Sequence, residues 1–402
     1  TMTASGHPAT FLEETRCAQR ADGTAAVLAI GTANPVNCVR QDEYADWHFR
    51  VTRSDHLATL KAKMKRICER SGVKKRHFHH TEEMIGGHPE FLDRAVPSLG
   101  ARLGLATDAV QELAAAAAAR AIAEWGRPVA EITHLVVSTN CVAGAPGIDL
   151  SMAALLGLRR AVHRTMLYLH GCSAGSVALR FAKDLAENNR GSRVLVICSE
   201  VVLLGFRAPD EAQLDALVAT TLFGDGAGAA IVGAGPTSPA ERPVFHMVSA
   251  SQVMLPGTEH AVGLHLSERG IDFRMSVELP TLVRDSIEQC LADGLAPLGL
   301  ASGGWNGLFW AAHPGGRAIL DSYEAALGLE PGKLAASRRV LSEYGNMLGA
   351  TIFFVLDEMR RCRRGGDEEQ REDCEWGVML VLGPGLTIET MVLHAAGCRD
   401  ED

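Results

Sequence analysis

Nowhere in the chain does an apolar run approach the ~18 residues needed to cross a bilayer, which argues against a membrane-spanning helix. The opening segment TMTASGHPATFLEETRCAQR has no apolar core of the kind a secretory signal carries, so a cytoplasmic protein is expected. Excess positive charge is also missing: 39 Lys and Arg stand against 48 Asp and Glu, a formal net charge of -9. A nucleic-acid partner would need a basic footprint, and none is expected. Cysteine itself is not scarce, but paired cysteine is. The ten thiols at positions 17, 38, 68, 141, 172, 198, 290, 362, 374 and 398 contain no CxxC pair and no zinc-type spacing, which argues against a disulfide framework and a structural metal. His77, His79 and His80 sit beside Lys74, Lys75 and Arg76 without the carboxylate or thiolate spacing of a divalent site. No metal is expected there.

What is present is an ordinary globular composition, 47% hydrophobic and 22% charged, over 402 residues. That length suffices for two domains or one large layered domain with a substantial core. The stretch from Arg164 to Glu200 reads as a buried strand, a tight Gly-Cys-Ser-Ala-Gly turn, an amphipathic helix and a second buried strand. Cys172 falls where strand gives way to helix, facing the unpaired N–H groups and the positive end of the helix dipole, so a stabilised thiolate is expected. Gly171 and Gly175 allow the sharp turn and close packing that expose a nucleophile at such an elbow. The plainer alternative is a core cysteine, since free Cys is commonly buried.

Around this unit the pattern alternates. AAVLAI at 25–30 is a strand, Asp42 to Arg70 a charged helical region, Val110 to Trp125 an alanine-rich helix stopped by Gly126 and Pro128, and Thr133 to Ser138 another strand. FGDGAGAAIV at 223–232 opens a strand and not a helix, so it is no nucleotide fingerprint. The Gly, Pro and Ser run GAGPTSPAER at 233–242 reads as a connection between an N-terminal half, 1–238, and a C-terminal half, 239–402. The second half repeats the order of the first: a strand at Phe245 to Gln252, a helix at Pro280 to Leu291, a strand at Leu308 to Ala312, a helix, and a closing strand at Gly377 to Leu382. Two similar α/β halves facing each other are predicted. The mixed-charge block RRCRRGGDEEQREDCEW at 360–376 reads as an exposed loop.

Two further residues have what a thiol enzyme requires. His313 follows the apolar strand in FWAAHPGG, and Asn346 lies in EYGNMLGA where a turn meets a helix. His313 could serve as base or cationic partner, and with the Asn346 amide it could donate hydrogen bonds to a developing anion. Whether that anion is an oxyanion at a scissile amide or an enolate left by carbon dioxide is not decided by the residues alone. A cysteine elbow on an α/β sheet favours acyl transfer over proteolysis.

At these residues the chain resembles the plant type III polyketide synthases, the chalcone and stilbene synthase family. The likeness runs from about Gln19 to Leu393, through RADGTAAVLAIGTANP, FGDGAGAAIVG, HPGG, EYGNM and GPGLTIET. It implies a thiolase-like αβαβα layered α/β fold in a homodimer. Its substrates would be malonyl-CoA and a starter acyl-CoA, with no cofactor besides these coenzyme A thioesters. On that resemblance Cys172 carries the acyl chain, His313 and Asn346 promote malonyl decarboxylation, and Phe223 and Phe273 guard the cavity entrance. Lys63, Arg66 and Arg70 match positions that meet coenzyme A phosphates.

The chain departs from the chalcone synthase pattern at several cavity positions. Asn140 and Cys141 stand for Thr-Ser, Ala145 for a Met reaching across the dimer, Val202 and Gly205 for two threonines, Leu264 for a glycine and Leu348 for a serine. Val381-Leu382-Gly383-Pro384-Gly385 replaces the usual Gly-Phe-Gly-Pro-Gly loop. Volume is removed at 145 and 205 and added at 264 and 348. The expectation is therefore a displaced, apolar cavity for a fatty acyl-CoA starter, as in the alkylresorcinol and alkylresorcylic acid synthases of grasses. The alternative is a curcuminoid- or chalcone/stilbene-type synthase with an aromatic acyl-CoA starter, to which Asn140 points.

Overall fold

In the computed structural model, which describes residues 8–93, 95–235, 238–300, 304–365 and 374–395, most of the short apolar runs become strands buried on both faces; the strand before Cys172, expected to be buried, is instead an exposed to half-buried strand at a sheet edge. The strands are β1 Ala25–Ala33, β2 Cys38–Arg40, β3 Lys75–His77, β4 His134–Thr139, β5 His163–Tyr168, β6 Arg193–Glu200, β7 Gly226–Ala234, β8 Phe245–Met254, β9 Val262–Ser267, β10 Gly270–Met275, β11 Phe309–Ala312, β12 Trp376–Gly383 and β13 Thr387–Ala395. The helices are α1 Pro8–Gln19, α2 Gln41–Val51, α3 Ala58–Arg70, α4 Glu82–Gly86, α5 Leu99–Trp125, α6 Ile148–Leu155, α7 Ala174–Asn188, α8 Leu214–Leu222, α9 Leu279–Leu295, α10 Arg317–Leu327, α11 Ala335–Tyr344 and α12 Thr351–Gly365.

Nine strands form one mixed sheet in the order β11-β12-β13-β8-β1-β7-β6-β4-β5. Alternation along each strand decides which core a side chain joins. On β6, Val194, Val196 and Cys198 enter one cluster, and Leu195 and Ile197 enter another. On β12, Met379 and Val381 join the cluster of Val194, whereas Val378 and Leu380 face a third. The shared cluster also holds Ala178, Leu179 and Ala182 of α7 and Ile352, Phe353 and Leu356 of α12. The second cluster is built with α5 and the third with α9 and α10. These three clusters give five layers: α5, strands, α7 with α12, strands, α9 with α10. The two stretches of sheet meet at β1 and β8, through Ala26 opposite His246 and Val27 opposite Phe245.

The central helices come unusually close. A Cβ on Gly175 of α7 would lie 2.2 Å from the Gly349 carbonyl oxygen, and one on Gly349 would lie 2.5 Å from the Ala174 methyl. Only hydrogen fits on both sides, and this contact sets Cys172 beside the segment that carries Asn346.

Several boundaries differ from the sequence reading. The helical region 42–70 is two helices, because α2 ends at Val51, is capped by Thr52, and Arg53 takes a left-handed φ of 54°. The alanine-rich helix begins eleven residues earlier, at Leu99 and not Val110, because Gly100 and Gly104 weaken its start without stopping it. β12 is not the closing strand: β13 follows and pairs with both β12 and β8. β9 and β10 form a separate antiparallel hairpin absent from the sequence reading. The charged block 360–376 is not all loop: residues 360–365 continue α12, because their helix carries on past the apolar face that packs in the core, and residues 366–373 lie outside the described residues.

Candidate active site

Cys172 lies in a 3-10 turn, Gly171–Ser173, that runs directly into α7. Gly171 enters it at a φ of 61°. A side chain there would need left-handed strain and would collide with the Pro384 ring, 2.5 Å from an added Cβ. β11 delivers His313, whose backbone N–H donates to the Leu380 carbonyl at 2.8 Å. Asn346 sits between α11 and α12 in a short parallel bridge with Phe223. Its N–H donates to the Leu222 carbonyl at 2.9 Å and its carbonyl accepts from Gly224 at 3.0 Å. Its side-chain Oδ1 accepts from the Leu348 N–H at 2.9 Å, supporting Leu348 at a φ of 49°, a strained value for a side chain of this size.

Cys172, His313 and Asn346 line one cavity of ≈ 40 Å³, together with Phe223, Phe273, Leu264 and Leu348. Asn346 Nδ2 lies 3.7 Å from the Cys172 sulfur and 3.4 Å from the Gly315 carbonyl oxygen. His313 is buried, and neither ring nitrogen has a hydrogen-bond partner among the described residues. Phe223 and Phe273 cover the cavity with ring centroids 4.7 Å apart.

Burial dominates the electrostatics. It pushes the Cys172 thiol up to about 12 against the hydrogen bond from Asn346, with the Glu200 carboxyl adding to the rise. It pushes His313 down to about 3. Burial therefore opposes the thiolate expected from the helix end: desolvation raises the thiol and lowers the imidazole.

The remaining candidates lie around this centre. Val202 packs with Phe223 and Leu348. Asn140 and Cys141 are buried behind Gly171 and both bond to Glu200, at 2.7 Å from Asn140 Nδ2 and 3.1 Å from the Cys141 sulfur. Gly205 lies against Phe273: a Cβ at 205 would meet the Phe273 ring at 2.4 Å, so this ring fills the volume that the missing side chain leaves. Ala145 is exposed and lines none of this cavity. On α3, Lys61 and Lys65 are held by Asp46 and Asp55. Lys63, Arg66 and Arg70 share one helical face by their spacing, carry no ion pair among the described residues, and range from half-buried to exposed.

Several residues that shape the site were not singled out from sequence. Arg76, fully buried, donates to the Phe223 carbonyl at 2.7 Å and the Thr220 carbonyl at 2.8 Å while its guanidinium lies 4.0 Å from the Tyr44 ring centroid. It fixes the backbone that carries Phe223. Asp225 accepts from the Val202 N–H at 2.7 Å and the His79 N–H at 2.6 Å, and burial raises it to about 7. Burial likewise raises Glu200 to about 8. An acid closing the otherwise apolar run VLVICSE was the available signal. The three histidines diverge: His77 Nδ1 meets the Pro35 carbonyl, and His80 packs among Trp47, Phe78 and Phe206.

A cysteine, a histidine and an asparagine converging on one apolar cavity under two phenylalanines, at the junction of two α/β layers, is a constellation that can be compared with known proteins. Residues 12–236 match the N-terminal domain of chalcone and stilbene synthases and residues 246–397 match the C-terminal domain. The chain belongs to the chalcone and stilbene synthase family. As a member, it is a type III polyketide synthase, an acyltransferase with the thiolase-like fold, and its five layers are those of that fold. The chain is also 57% identical over 400 residues to bisdemethoxycurcumin synthase of Oryza sativa subsp. japonica, covering 98% of each protein. Among the described residues no helix of this polyketide synthase is long and apolar enough to cross a membrane.

Proposed function

We propose that this synthase is of the curcuminoid type, loading an aromatic acyl-CoA starter onto Cys172 and extending it with malonyl-CoA by decarboxylative condensation. The observation that carries the choice of starter is the packing of Phe273 into the space beside Gly205. That space would have been the first part of a fatty acyl tunnel, and the ring closing it leaves an aromatic pair over the cavity, suited to a planar starter. The likeness to bisdemethoxycurcumin synthase points the same way.

In the proposed reaction the Cys172 thiol attacks the starter thioester while its proton passes to His313, and coenzyme A leaves as the thiol, taking a proton. Malonyl-CoA then enters with its thioester oxygen facing Asn346 Nδ2 and His313. Carbon dioxide departs, and the enolate so formed attacks the acyl-cysteine carbonyl, forming the carbon–carbon bond, leaving the extended chain on coenzyme A and expelling the Cys172 sulfur as a thiolate that takes a proton from solvent. Burial of both groups disfavours a standing charge in this apolar site, so donors placed where charge develops carry the stabilisation.

With hydroxycinnamoyl-CoA and a C12 acyl-CoA as competing starters, kcat/KM should favour the aromatic one by roughly two- to tenfold, equivalent to the ~0.5–1.5 kcal/mol of an aromatic pair. Product mass spectrometry reads this directly. A preference for the C12 chain would restore the alkylresorcinol-type reading.

Lys63, Arg66 and Arg70 form the proposed coenzyme A rim, supported by their shared face and lack of ion pairs. Point charges at an entrance attract an anionic ligand and are screened by salt. Arg66→Gln should raise KM for coenzyme A thioesters and flatten its dependence on ionic strength, whereas Lys65→Gln, at a position already paired with Asp46, should do so less. Equal effects of the two substitutions would remove the rim assignment. A homodimer is also proposed: Leu150, Leu155 and Leu169 are exposed near edge strand β5, and Gly144, next to Ala145, accepts from the Tyr168 hydroxyl of that strand at 3.0 Å.

A further inference from the structure

We propose that Asn140 is a positioning residue for the nucleophile, acting as a two-sided clamp on the Gly171 backbone that holds Cys172 in its reactive orientation. The inference rests on the reading of Cys172 as the acyl carrier.

The geometry is specific to an amide side chain. Asn140 Oδ1 accepts from the Gly171 N–H at 2.7 Å, and Nδ2 donates to the Gly171 carbonyl at 3.2 Å. Those two groups belong to different peptide planes, the one entering Gly171 and the one linking it to Cys172. Glycine is the residue least able to hold such planes by itself, and at 171 no other residue fits between Pro384 and Leu264. The turn therefore obtains its rigidity from outside. Because the peptide is planar and trans, holding the Gly171 carbonyl also fixes the direction of the Cys172 N–H, which points the opposite way.

The clamp is itself anchored. The second Nδ2 hydrogen goes to Glu200 Oε1 at 2.7 Å, and the Asn140 backbone N–H goes to Glu200 Oε2 at 3.0 Å. Asn140 and Glu200 are buried. Both amide hydrogens and the amide oxygen are thus engaged, and a relay runs from Glu200 through Asn140 to Gly171 and Cys172. A threonine offers one hydroxyl and cannot bond both peptide planes and the carboxyl at once.

The test compares wild type, Asn140→Thr and Asn140→Ala in two measurements. The first is iodoacetamide modification of Cys172, followed at that peptide by mass spectrometry so that the exposed thiols do not interfere. The second is single-turnover loading by p-coumaroyl-CoA. Both variants should alkylate Cys172 and load the starter about 10- to 100-fold more slowly, the range expected when a reacting group is misplaced by about an ångström. The starter concentration giving half-maximal loading rate should stay within about twofold, because the clamp touches no part of the ligand-lined cavity. Unchanged Cys172 rates in both variants overturn the clamp, as does a loss confined to starter affinity. A separate failure is recognisable: if alkylation of wild-type Cys172 leaves polyketide synthesis intact, the acyl-carrier reading falls instead.

Discussion

Cys172→Ala should make no polyketide at all while still releasing acetyl-CoA slowly from malonyl-CoA. The two outcomes separate because different groups serve them. Condensation needs a sulfur that can hold the growing chain as a thioester, and a methyl group offers none. Decarboxylation needs donors to a thioester oxygen, and these are His313 and Asn346, which reach the cavity from β11 and from the α11–α12 turn and do not depend on the Cys172 side chain. The substitution removes little volume at a half-buried position, so the fold should survive. Product mass spectrometry and an acetyl-CoA assay on one preparation check both halves. Normal elongation by the variant would mean that the nucleophile lies elsewhere.

Asn346→Ala should lower malonyl-CoA decarboxylation by roughly 10² to 10³, the usual cost of removing one donor from a developing oxyanion, and should slow starter loading much less. The backbone of Asn346 keeps its bonds to Leu222 and Gly224 whatever the side chain is, so the segment stays in place. A smaller loading defect is still expected, since the amide supports Leu348 in its strained conformation and pulls the Cys172 thiol downward. Rates of the two half-reactions measured separately decide the matter. If both fall by the same factor with the thermal midpoint unchanged, Asn346 organises the entrance and does not serve the decarboxylating step.

Much of the layered fold was legible because its strands are buried on both faces. A run such as VLVIC or VMLVL has no other comfortable place in a folded chain. His313 was legible for a related reason, since it stands at the end of such a run, FWAA, whereas Cys172 and Asn346 were marked by the glycines before them, Gly171 and Gly345. The β9–β10 hairpin escaped because VGLHLS and GIDFRM are only partly buried and mix polar with apolar positions, leaving no clean alternation. The break at Arg53 escaped because it needs one residue at positive φ, which composition does not announce. The desolvation that opposes ionisation of Cys172 escaped for a deeper reason: a helix end is a local feature that the sequence marks, whereas burial depends on what other segments bring to the site. Gly205 teaches the same about volume. A deleted side chain creates space only if no neighbour can move into it, and Phe273, 68 residues later in the chain, does so.

The narrow seam between β1 and β8, with the glycine contact of α7 on the turn before α12, has a consequence for how the enzyme comes into being. Cys172 is set on strands and helices that precede β8, and His313 and Asn346 on those that follow it. Each group can acquire much of its own secondary structure early, but the sulfur meets its partners only when the seam closes and Gly175 finds Gly349. Such contacts between distant parts of the chain are entropically slow to form. Catalysis is therefore the last property to appear during folding and the first to be lost when the seam loosens, while most of the secondary structure is still in place.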